Sequence, residues 1–368
     1  MNGYGRELLK YVAAAATGTM LLYGAVTAPV AIAQQKQTIK PTHVKFGWQR
    51  GIQMPYQMVR ILDLGKHKNM SIDWTRFDSG PAMLPALQSG SIDMAQMGAS
   101  PALVGITNGL DVSIIGIVQN IAGGEGLVAR NGAGVNDVRD LRGKSVGVVL
   151  ASSAHGGLIA ALRKHSLKTS EISVVNIGPA QMLPAFQNAN LDAVYIWDPY
   201  MTYAMNVGGK LILTTDQVGD LASFTASHGV WVVRNEFLRQ NRDAVVRFIL
   251  LAELGQRLYL EKGNESRFAL SRLASELNLE PMVIQKMIDR VMFPTPAAQL
   301  DAGNNYAFAA ASSSSPMRIV EGLAALAELQ MQLGNLKKPL SVQAISKYVD
   351  ASVLRTLRET PPLTIEGR

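Results

Sequence analysis

Short apolar strands that each pass through a turn of small residues into a helix constrain the fold of this chain more than any other feature. In the first such unit, residues 72–77 alternate like a strand. Ser79 or Gly80 then caps a predicted helix that starts at Pro81, where proline fits the first helical turn. The spacing is typical of an α/β domain with parallel strands.

Two further units have the same order of parts. Residues 92–97 precede a predicted helix from Pro101, and residues 145–150 precede a predicted helix over 156–165. The turn residues are Ala99 and Ser100 in the second unit and Ser152, Ser153 and His155 in the third. In an open α/β sheet, turns of this kind lie together at the carboxyl ends of the strands.

Helix starts at such an edge can hold an anion. The first N–H groups of a helix have no partner within it and carry a partial positive charge. That charge suits a phosphate, sulfonate, sulfate or carboxylate group. The alternative interpretation is that each turn only caps its helix, but three similar turns on neighbouring strands favour binding.

The first 33 residues resemble a secretory signal peptide. Arg6 and Lys10 precede an apolar stretch that ends in the small-residue pattern Ala31-Ile32-Ala33. A retained membrane anchor is the competing interpretation, and two glycines and a proline within the stretch argue against it. We expect cleavage after Ala33 and export of a soluble product to a bacterial periplasm.

Composition excludes several classes of function. The chain has 35 Lys and Arg against 28 Asp and Glu, a formal net charge of +7, and its basic residues are scattered. Nucleic-acid binding is therefore not expected. The sequence has no cysteine, which excludes disulfides, a thiol nucleophile and a lipid-modified cysteine. Its five histidines show no metal-ligand spacing, and we expect no metal and no cofactor.

The order of predicted elements indicates two α/β lobes followed by helices. Nine strands are predicted, near 43–48, 72–77, 93–97, 112–118, 126–130, 145–150, 172–177, 192–196 and 229–234. After residue 235 the pattern predicts only amphipathic helices, near 235–261, 265–277, 281–290, 316–333 and 341–358. A chain of 368 residues exceeds what one core usually supports. We predict lobe 1 over 41–125 and 230–360 and lobe 2 over 126–229, and we interpret 365–368 as a tag remnant.

Seven ordered segments carry a family resemblance: 72–80, 98–103, 125–128, 140–144, 153–162, 192–197 and 230–234. Together they resemble the exported solute-binding proteins of ABC importers for nitrate, aliphatic sulfonates and taurine, with the taurine-binding members most similar. The resemblance covers roughly residues 43–250. The C-terminal part resembles the family only in being helical.

The resemblance implies a type II periplasmic binding protein fold. Two α/β lobes, joined by hinge strands at 125–130 and 230–234 and followed by a helical C-terminal region, would close on a small anionic or zwitterionic ligand. The implied partner is an ABC permease with a cytoplasmic ATPase, which reads the closed form. The protein itself would bind and release its ligand as a monomer and would catalyse no reaction.

The resemblance also places a ligand between the lobes. Its anionic end would meet the helix-start residues Ser79, Gly80, Ala99, Ser100, Ser152, Ser153 and His155. A sulfonate has three acceptor oxygens and stays ionised, so neutral N–H and O–H donors are sufficient. A lone histidine at a helix start is equally often a structural hydrogen-bond donor.

The opposite end of the ligand needs an acceptor and an apolar cover. A buried Glu125 would pair with a ligand ammonium, and Trp197 would stack on the cation or cover the methylene groups. The alternatives are a salt bridge between the lobes for Glu125 and core packing for Trp197.

The chain departs from the taurine pattern at one position. That pattern has an aspartate just before the Val-Trp-Val-Val strand, where this chain has Gly229. Asp198 could replace the missing acceptor or could cap the next helix. The loop after the first strand adds Gln49 to the candidate site, and Arg50 in that loop could reach a carboxylate or sulfonate. We therefore expect a small organic anion that need not be taurine.

Two alternative functions stay open. One is a thiamine-precursor-type binding protein or enzyme of the same fold, and the other is a ligand sensor that feeds a receptor. The sequence has no Gly-x-Ser-x-Gly elbow, no Walker loop and no His-Glu-x-x-His motif, which disfavours an enzyme.

Overall fold

The computed structural model describes residues 42–338 and 340–364. The predicted signal peptide and the predicted tag remnant lie outside the described residues. None of the helices in this part of the chain has both the length and the apolar character needed to traverse a bilayer.

Apolar runs form ten strands within the described residues. They are β1 (Thr42–Gln49), β2 (Met70–Phe77), β3 (Met94–Gly98), β4 (Val112–Asn120), β5 (Glu125–Ala129), β6 (Ser145–Val148), β7 (Ser173–Asn176), β8 (Ala193–Trp197), β9 (Lys210–Thr214) and β10 (His228–Arg234). The central strands are buried on both faces, which is why they read as continuous apolar runs rather than alternating ones.

Amphipathic segments form the helices that cover these strands. They are α1 (Met54–Ile61), α2 (Leu84–Ser89), α3 (Ala99–Thr107), α4 (Ser153–Lys164), α5 (Pro179–Gln187), α6 (Tyr200–Asn206), α7 (Leu221–Ala226), α8 (Asn235–Gln240), α9 (Arg242–Leu260), α10 (Asn264–Leu277), α11 (Pro281–Ile288), α12 (Pro296–Leu300), α13 (Arg318–Gln332), α14 (Val342–Ser346) and α15 (Ser352–Glu359).

The strands form two five-stranded sheets of the same design. Sheet 1 has the order β2-β1-β3-β10-β4, and sheet 2 has the order β7-β6-β8-β5-β9. In each sheet one strand runs antiparallel to its neighbours, β10 in sheet 1 and β5 in sheet 2. We call sheet 1 and its helices lobe 1, and sheet 2 and its helices lobe 2.

The chain passes between the sheets twice. It leaves sheet 1 after Asn120, crosses through residues 121–124 and enters sheet 2 at Glu125. It returns after α7, where Ser227 precedes β10. The first crossing therefore leads directly into β5 and the second into β10, the two antiparallel strands. Each of these strands lies wholly within its sheet.

The C-terminal helices pack mainly on lobe 1. Helix α9 contacts α1 and β1, and α15 contacts β4 and α9. Helix α13 is the exception, since it packs against α7, against α3 of lobe 1 and against α4 of lobe 2.

The predicted fold class is confirmed, and the nine predicted strands are all present within two residues at either end. The pattern missed β9, a short edge strand whose apolar run is only three residues long, between Lys210 and Thr214. The helix predicted over 235–261 is divided at Asn241, which has non-helical φ and ψ of −132° and 38°. The helix predicted over 341–358 is likewise two separate helices, α14 and α15.

An aromatic cluster fills the core of lobe 1. Its members are Phe46, Tyr56, Trp74, Trp231 and Phe248. The rings of Phe46 and Phe248 stack with centroids 4.7 Å apart, which joins β1 to the C-terminal helix α9. The Tyr56 hydroxyl lies 2.9 Å from Oε1 of Gln53, so the same cluster supports the loop after β1.

Replacing Phe248 with alanine is expected to lower the free energy of unfolding by about 3–5 kcal/mol, since it leaves a cavity in this buried cluster. Chemical denaturation monitored by circular dichroism measures the change. Phe268→Ala on α10 is the matched control: that ring is 53% exposed, and its loss should change stability by less than about 0.5 kcal/mol. Equal effects of the two changes would contradict the packing described.

Candidate functional site

A cavity lies between the two sheets at the carboxyl ends of their parallel strands. It has a volume of about 30 Å³ and takes its walls from both lobes. Six of the predicted site residues line it: Gln49, Gly80, Ser152, Ser153, Trp197 and Asp198. This is the position at which open α/β sheets hold ligands.

The lobe 1 wall includes two of the predicted helix starts. After β2, a 3₁₀ turn over Pro81–Met83 precedes α2, and Gly80 stands before it. A Cβ atom at Gly80 would lie 2.6 Å from Cγ of Pro101, so only glycine lets the two turns approach so closely. The Ser79 side chain is buried but does not line the cavity.

The second helix start differs from the prediction by two residues. Helix α3 begins at Ala99, with Gly98 at its extended N-cap, instead of at Pro101. Proline is accommodated in this first turn because its missing N–H would have no partner there. Gly98 and Pro101 line the cavity, whereas Ala99 and Ser100 are fully buried just outside the lining.

The lobe 2 wall is the start of α4. Ser152 is its N-cap, and its Oγ accepts a hydrogen bond of 3.4 Å from the backbone N–H of His155. Ala151 before it has a φ of 60°, a left-handed conformation that costs energy for a residue with a side chain. A Cβ atom at Gly98 would lie 3.8 Å from Cβ of Ser153. The positively polarised N-terminal ends of α3 and α4 thus lie next to each other.

Glu125 lies beneath the cavity and is fully buried. Its carboxylate accepts hydrogen bonds from three hydroxyl groups, Ser153 at 2.5 Å, Thr215 at 3.2 Å and Ser227 at 3.3 Å. Burial raises the pKa of Glu125 to about 7, and the three hydroxyl donors offset part of that rise. Ser153 and Ser227 both line the cavity, so this carboxylate fixes two of its hydroxyl groups.

Trp197 ends β8, Asp198 follows it, and both line the cavity from lobe 2. Oδ1 of Asp198 accepts from the backbone N–H of Thr202 at 3.1 Å and from its hydroxyl at 2.6 Å. Asp198 therefore caps the first turn of α6. Its Oδ2 lies 3.7 Å from the guanidinium of Arg290, which comes from the C-terminal region. Burial raises the pKa of Asp198, and Arg290 opposes that rise.

The structure separates two predicted ligand contacts from the cavity. His155 is buried outside the lining, with Nδ1 at 3.2 Å from Nδ2 of Asn335 on the C-terminal side, and burial lowers its pKa to about 4. Arg50 donates to the backbone carbonyl of Glu276 in α10. Both side chains connect the lobes to the C-terminal region.

Sequence reasoning missed several polar residues of the wall. Gln53 follows β1, Gln96 lies within β3, Gln119 lies near the end of β4, and His228 begins β10. His228 is buried with a pKa lowered to about 3 by burial, and its Nδ1 lies 2.8 Å from Nδ2 of Asn120. A glutamine inside an apolar strand was the available signal, since Gln96 and Gln119 each interrupt or end such a run.

Two α/β sheets whose strand ends line a shared cavity define a two-lobed binding protein fold. A solved structure has the same fold, namely the alkanesulfonate-binding protein SsuA from Xanthomonas axonopodis pv. citri bound to MOPS. The superposition has a TM-score of 0.67 and covers 84% of this chain and 98% of that one, at 21% sequence identity. This likeness establishes the fold.

The chain belongs to the NMT1-like family, whose profile matches residues 26–272, more than half of its length. The taurine-binding periplasmic protein of Escherichia coli is 29% identical over 195 residues, 53% of this chain and 59% of that protein. A putative aliphatic sulfonates-binding protein of Bacillus subtilis is 30% identical over 187 residues, 51% of this chain and 55% of that protein. The matches thus span less than two thirds of either relative, and they confirm the family resemblance.

The Glu125 carboxyl gives a prediction for the pH dependence of stability. Its pKa is about 7 in the folded state and near 4.5 when unfolded, so the folded state retains a proton that the unfolded chain has released. The free energy of unfolding should therefore fall, by on the order of 3 kcal/mol from this group, as the pH rises from about 4.5 to 7. Glu125→Gln should remove this part of the decrease.

Urea denaturation of both proteins between pH 4.5 and 8 measures the difference. Burial also raises the pKa of Glu253 to about 7. This residue is present in both proteins, so its contribution is the same in both curves and disappears from their difference. Glu359→Gln at the exposed end of α15 is the control and should reproduce the unmodified profile. A Glu125→Gln curve parallel to the unmodified one would contradict the buried, protonated carboxyl.

Proposed function

We propose that the protein is the extracytoplasmic solute-binding component of an ABC importer and captures a small organic anion, of which aliphatic sulfonates such as taurine are the best supported class. The observation that carries this proposal is the cavity at which helix starts from both lobes meet. The two relatives are named as a taurine-binding protein and a putative aliphatic sulfonates-binding protein. These names support the same ligand class here.

The anionic end of the ligand would lie at the helix starts. The cavity walls at Gly80, Gly98, Ser152 and Ser153 supply backbone N–H groups and hydroxyls. Such neutral donors bind a permanently ionised sulfonate without a counter-charge. Because these donors come from different lobes, one sulfonate group would contact both and would stabilise the closed arrangement.

Trp197 and Glu125 would act on the ligand in different ways. Trp197 lines the cavity and is 5% exposed, so its ring can cover the apolar part of the ligand. Glu125 does not line the cavity, and its oxygens already accept from three hydroxyl groups. We assign it the role of holding Ser153 and Ser227 in position rather than that of pairing with a ligand ammonium.

Lobe closure would be the output of binding. The Tyr203 hydroxyl of lobe 2 donates to the carbonyl of Leu277 on the lobe 1 side at 2.5 Å, and Oδ2 of Asp198 lies 3.7 Å from the guanidinium of Arg290 in the C-terminal region. A ligand that contacts both lobes favours the state in which these contacts form. A membrane permease with a cytoplasmic ATPase would recognise that state, and a monomer in the periplasm is sufficient for this mechanism.

A thermal-shift screen tests the ligand class. We expect alkanesulfonates or taurine to raise the melting temperature, because a ligand that binds only the folded state stabilises it. A ligand of micromolar affinity at millimolar concentration should add about 4 kcal/mol. Nitrate, small carboxylates and thiamine precursors complete the panel, and calorimetry measures the affinity of each hit. A shift with carboxylates or heteroaromatic compounds alone would contradict the sulfonate assignment.

The Trp197→Ala change is expected to weaken binding of any sulfonate found in that screen at least tenfold, about 1.4 kcal/mol, since it uncovers the apolar part of the ligand. Isothermal titration calorimetry gives the affinity. Trp74→Ala is the matched control, because this indole lies in the lobe 1 aromatic cluster and outside the cavity lining. It should lower stability and leave affinity unchanged. Unchanged affinity in the Trp197 variant would remove this residue from the site.

A further inference from the structure

The Glu125 carboxylate lies directly behind the cavity wall and bonds to two of the hydroxyl groups in that wall. Its Oε2 accepts from the Ser153 hydroxyl at 2.5 Å, and its Oε1 accepts from the Ser227 hydroxyl at 3.3 Å. Ser153 begins α4 in lobe 2, Ser227 precedes β10 at the second crossing, and both line the cavity. The protonation state of this one carboxyl therefore acts on two groups that an anionic ligand would meet.

Ser153 makes the shortest contact with the carboxyl, and a hydroxyl has only one hydrogen to donate. The Ser227 hydroxyl is divided between two acceptors, since it also lies 3.1 Å from the carbonyl oxygen of Ser223. The Thr215 hydroxyl is divided in the same way, between Oε1 and the backbone oxygen of Glu125, each at 3.2 Å. Ser153 is thus the hydroxyl whose direction the charge on Glu125 controls most strongly.

An ionised Glu125 opposes an anion in the cavity in two ways. The Ser153 hydrogen points toward Oε2, so the Ser153 oxygen presents lone pairs to the cavity instead of a donor. The buried negative charge also repels a sulfonate at the adjoining wall, and burial weakens the screening of that repulsion. A protonated Glu125 removes both effects, because its own O–H donates to Ser153 and frees the Ser153 hydrogen for the ligand.

No cation pairs with Glu125 within the described residues. The titratable groups on the elements packed against it are Tyr195, Asp198, Tyr200, Tyr203, Lys210, Asp216, Asp220, His155 and His228. Burial raises the pKa of the three tyrosines, which stay protonated. Burial lowers the pKa of His155 to about 4 and that of His228 to about 3, so both stay neutral. Lys210 pairs with Ala129, at the opposite end of β5 from Glu125.

The carboxylates near Glu125 have other partners. Asp216 accepts from a threonine hydroxyl, and Asp220 caps α7. Asp198 has the guanidinium of Arg290 beside it. Glu125 has hydroxyl partners alone and is fully buried, and burial raises its pKa to about 7. This carboxyl therefore changes its charge in the neutral range, beside the wall where the anion would bind.

We propose that Glu125 links capture of the anion to capture of a proton. The ligand binds together with one proton, which Glu125 takes from solvent, and Ser153 passes the change to the ligand as a donated hydrogen bond. This inference rests on the proposed function, since the anionic end must lie at the start of α4. Glu125 is a positioning residue here, because it acts on the ligand through Ser153. The affinity for an anion consequently falls as the pH rises through the neutral range.

Calorimetric titrations of ethanesulfonate and of taurine between pH 6 and 8 test the linkage, because the sulfonate group of both probes stays ionised throughout. We expect the dissociation constant of each probe that binds to rise about tenfold over this range, since the pKa of Glu125 is about 7. Titrations at pH 8 in two buffers of different ionisation enthalpy should show uptake of about one proton per ligand. Circular dichroism at each pH verifies that the protein is folded.

Three variants separate Glu125 from other titrating groups. Glu125→Gln keeps a neutral side chain of the same shape, so its affinities at pH 6 and pH 8 should agree within about threefold. Ser153→Ala should lose more affinity at pH 6 than at pH 8, because only the protonated state offers the Ser153 hydrogen to the ligand. Glu253→Gln is the matched control, since burial also raises the pKa of Glu253 to about 7, but this side chain does not line the cavity. It should leave the pH dependence of binding unchanged.

The outcomes separate this inference from the proposed function. If a probe binds with the same affinity across the range and without proton uptake, the linkage is wrong and the sulfonate-binding function stands. If the pH dependence persists in Glu125→Gln, another group causes it and the assignment to Glu125 is wrong. Full pH dependence in Ser153→Ala would contradict the role of Ser153. If neither probe binds at any pH, the proposed function is wrong and this inference falls with it.

Discussion

The antiparallel pairing of one strand in each sheet is the interaction on which the rest of the structure depends. β10 hydrogen-bonds between β3 and β4, and β5 hydrogen-bonds between β8 and β9. Each of these strands follows directly on a crossing from the other lobe, so the ladders hold both crossings at the edge where the parallel strands end. The helix starts at that edge are consequently brought face to face. A different partner for either strand would move the cavity walls apart.

The cavity combines donors of positive character with carboxylates that are already balanced. The starts of α3 and α4 contribute the partial charge of unpaired N–H groups. Asp198 has Arg290 beside it, and burial raises the pKa of Glu125 while three hydroxyls bond to it. The helix starts thus give this part of the cavity a positive character even though no lysine lines it in the described part of the chain. Further buried polarity in the lining comes from the amides of four glutamines, from the Ser227 hydroxyl and from the His228 imidazole.

The sequence predicted most of the fold because strand and helix periodicity are local properties. It missed β9, whose apolar run of three residues is too short to stand out, and it joined α8 to α9 across Asn241, where only backbone angles mark the break. Within the site, the turns after β2, β3 and β6 could be predicted from their small residues. The meeting of Gln96, Gln119 and Gly229 could not, because these residues are brought together only by strand order. The partners of Glu125 are equally distant in sequence, with Thr215 and Ser227 about ninety to one hundred residues away.

Helix α13 has a consequence for how the protein is assembled over time. It packs on α3 of lobe 1, on α4 of lobe 2 and on α7 before the second crossing, and Leu326 and Leu329 on it are almost wholly buried. These surfaces are synthesised more than ninety residues earlier than the helix that covers them. During synthesis from the amino terminus, the surfaces of α3, α4 and α7 that α13 covers therefore stay exposed until α13 itself has been made.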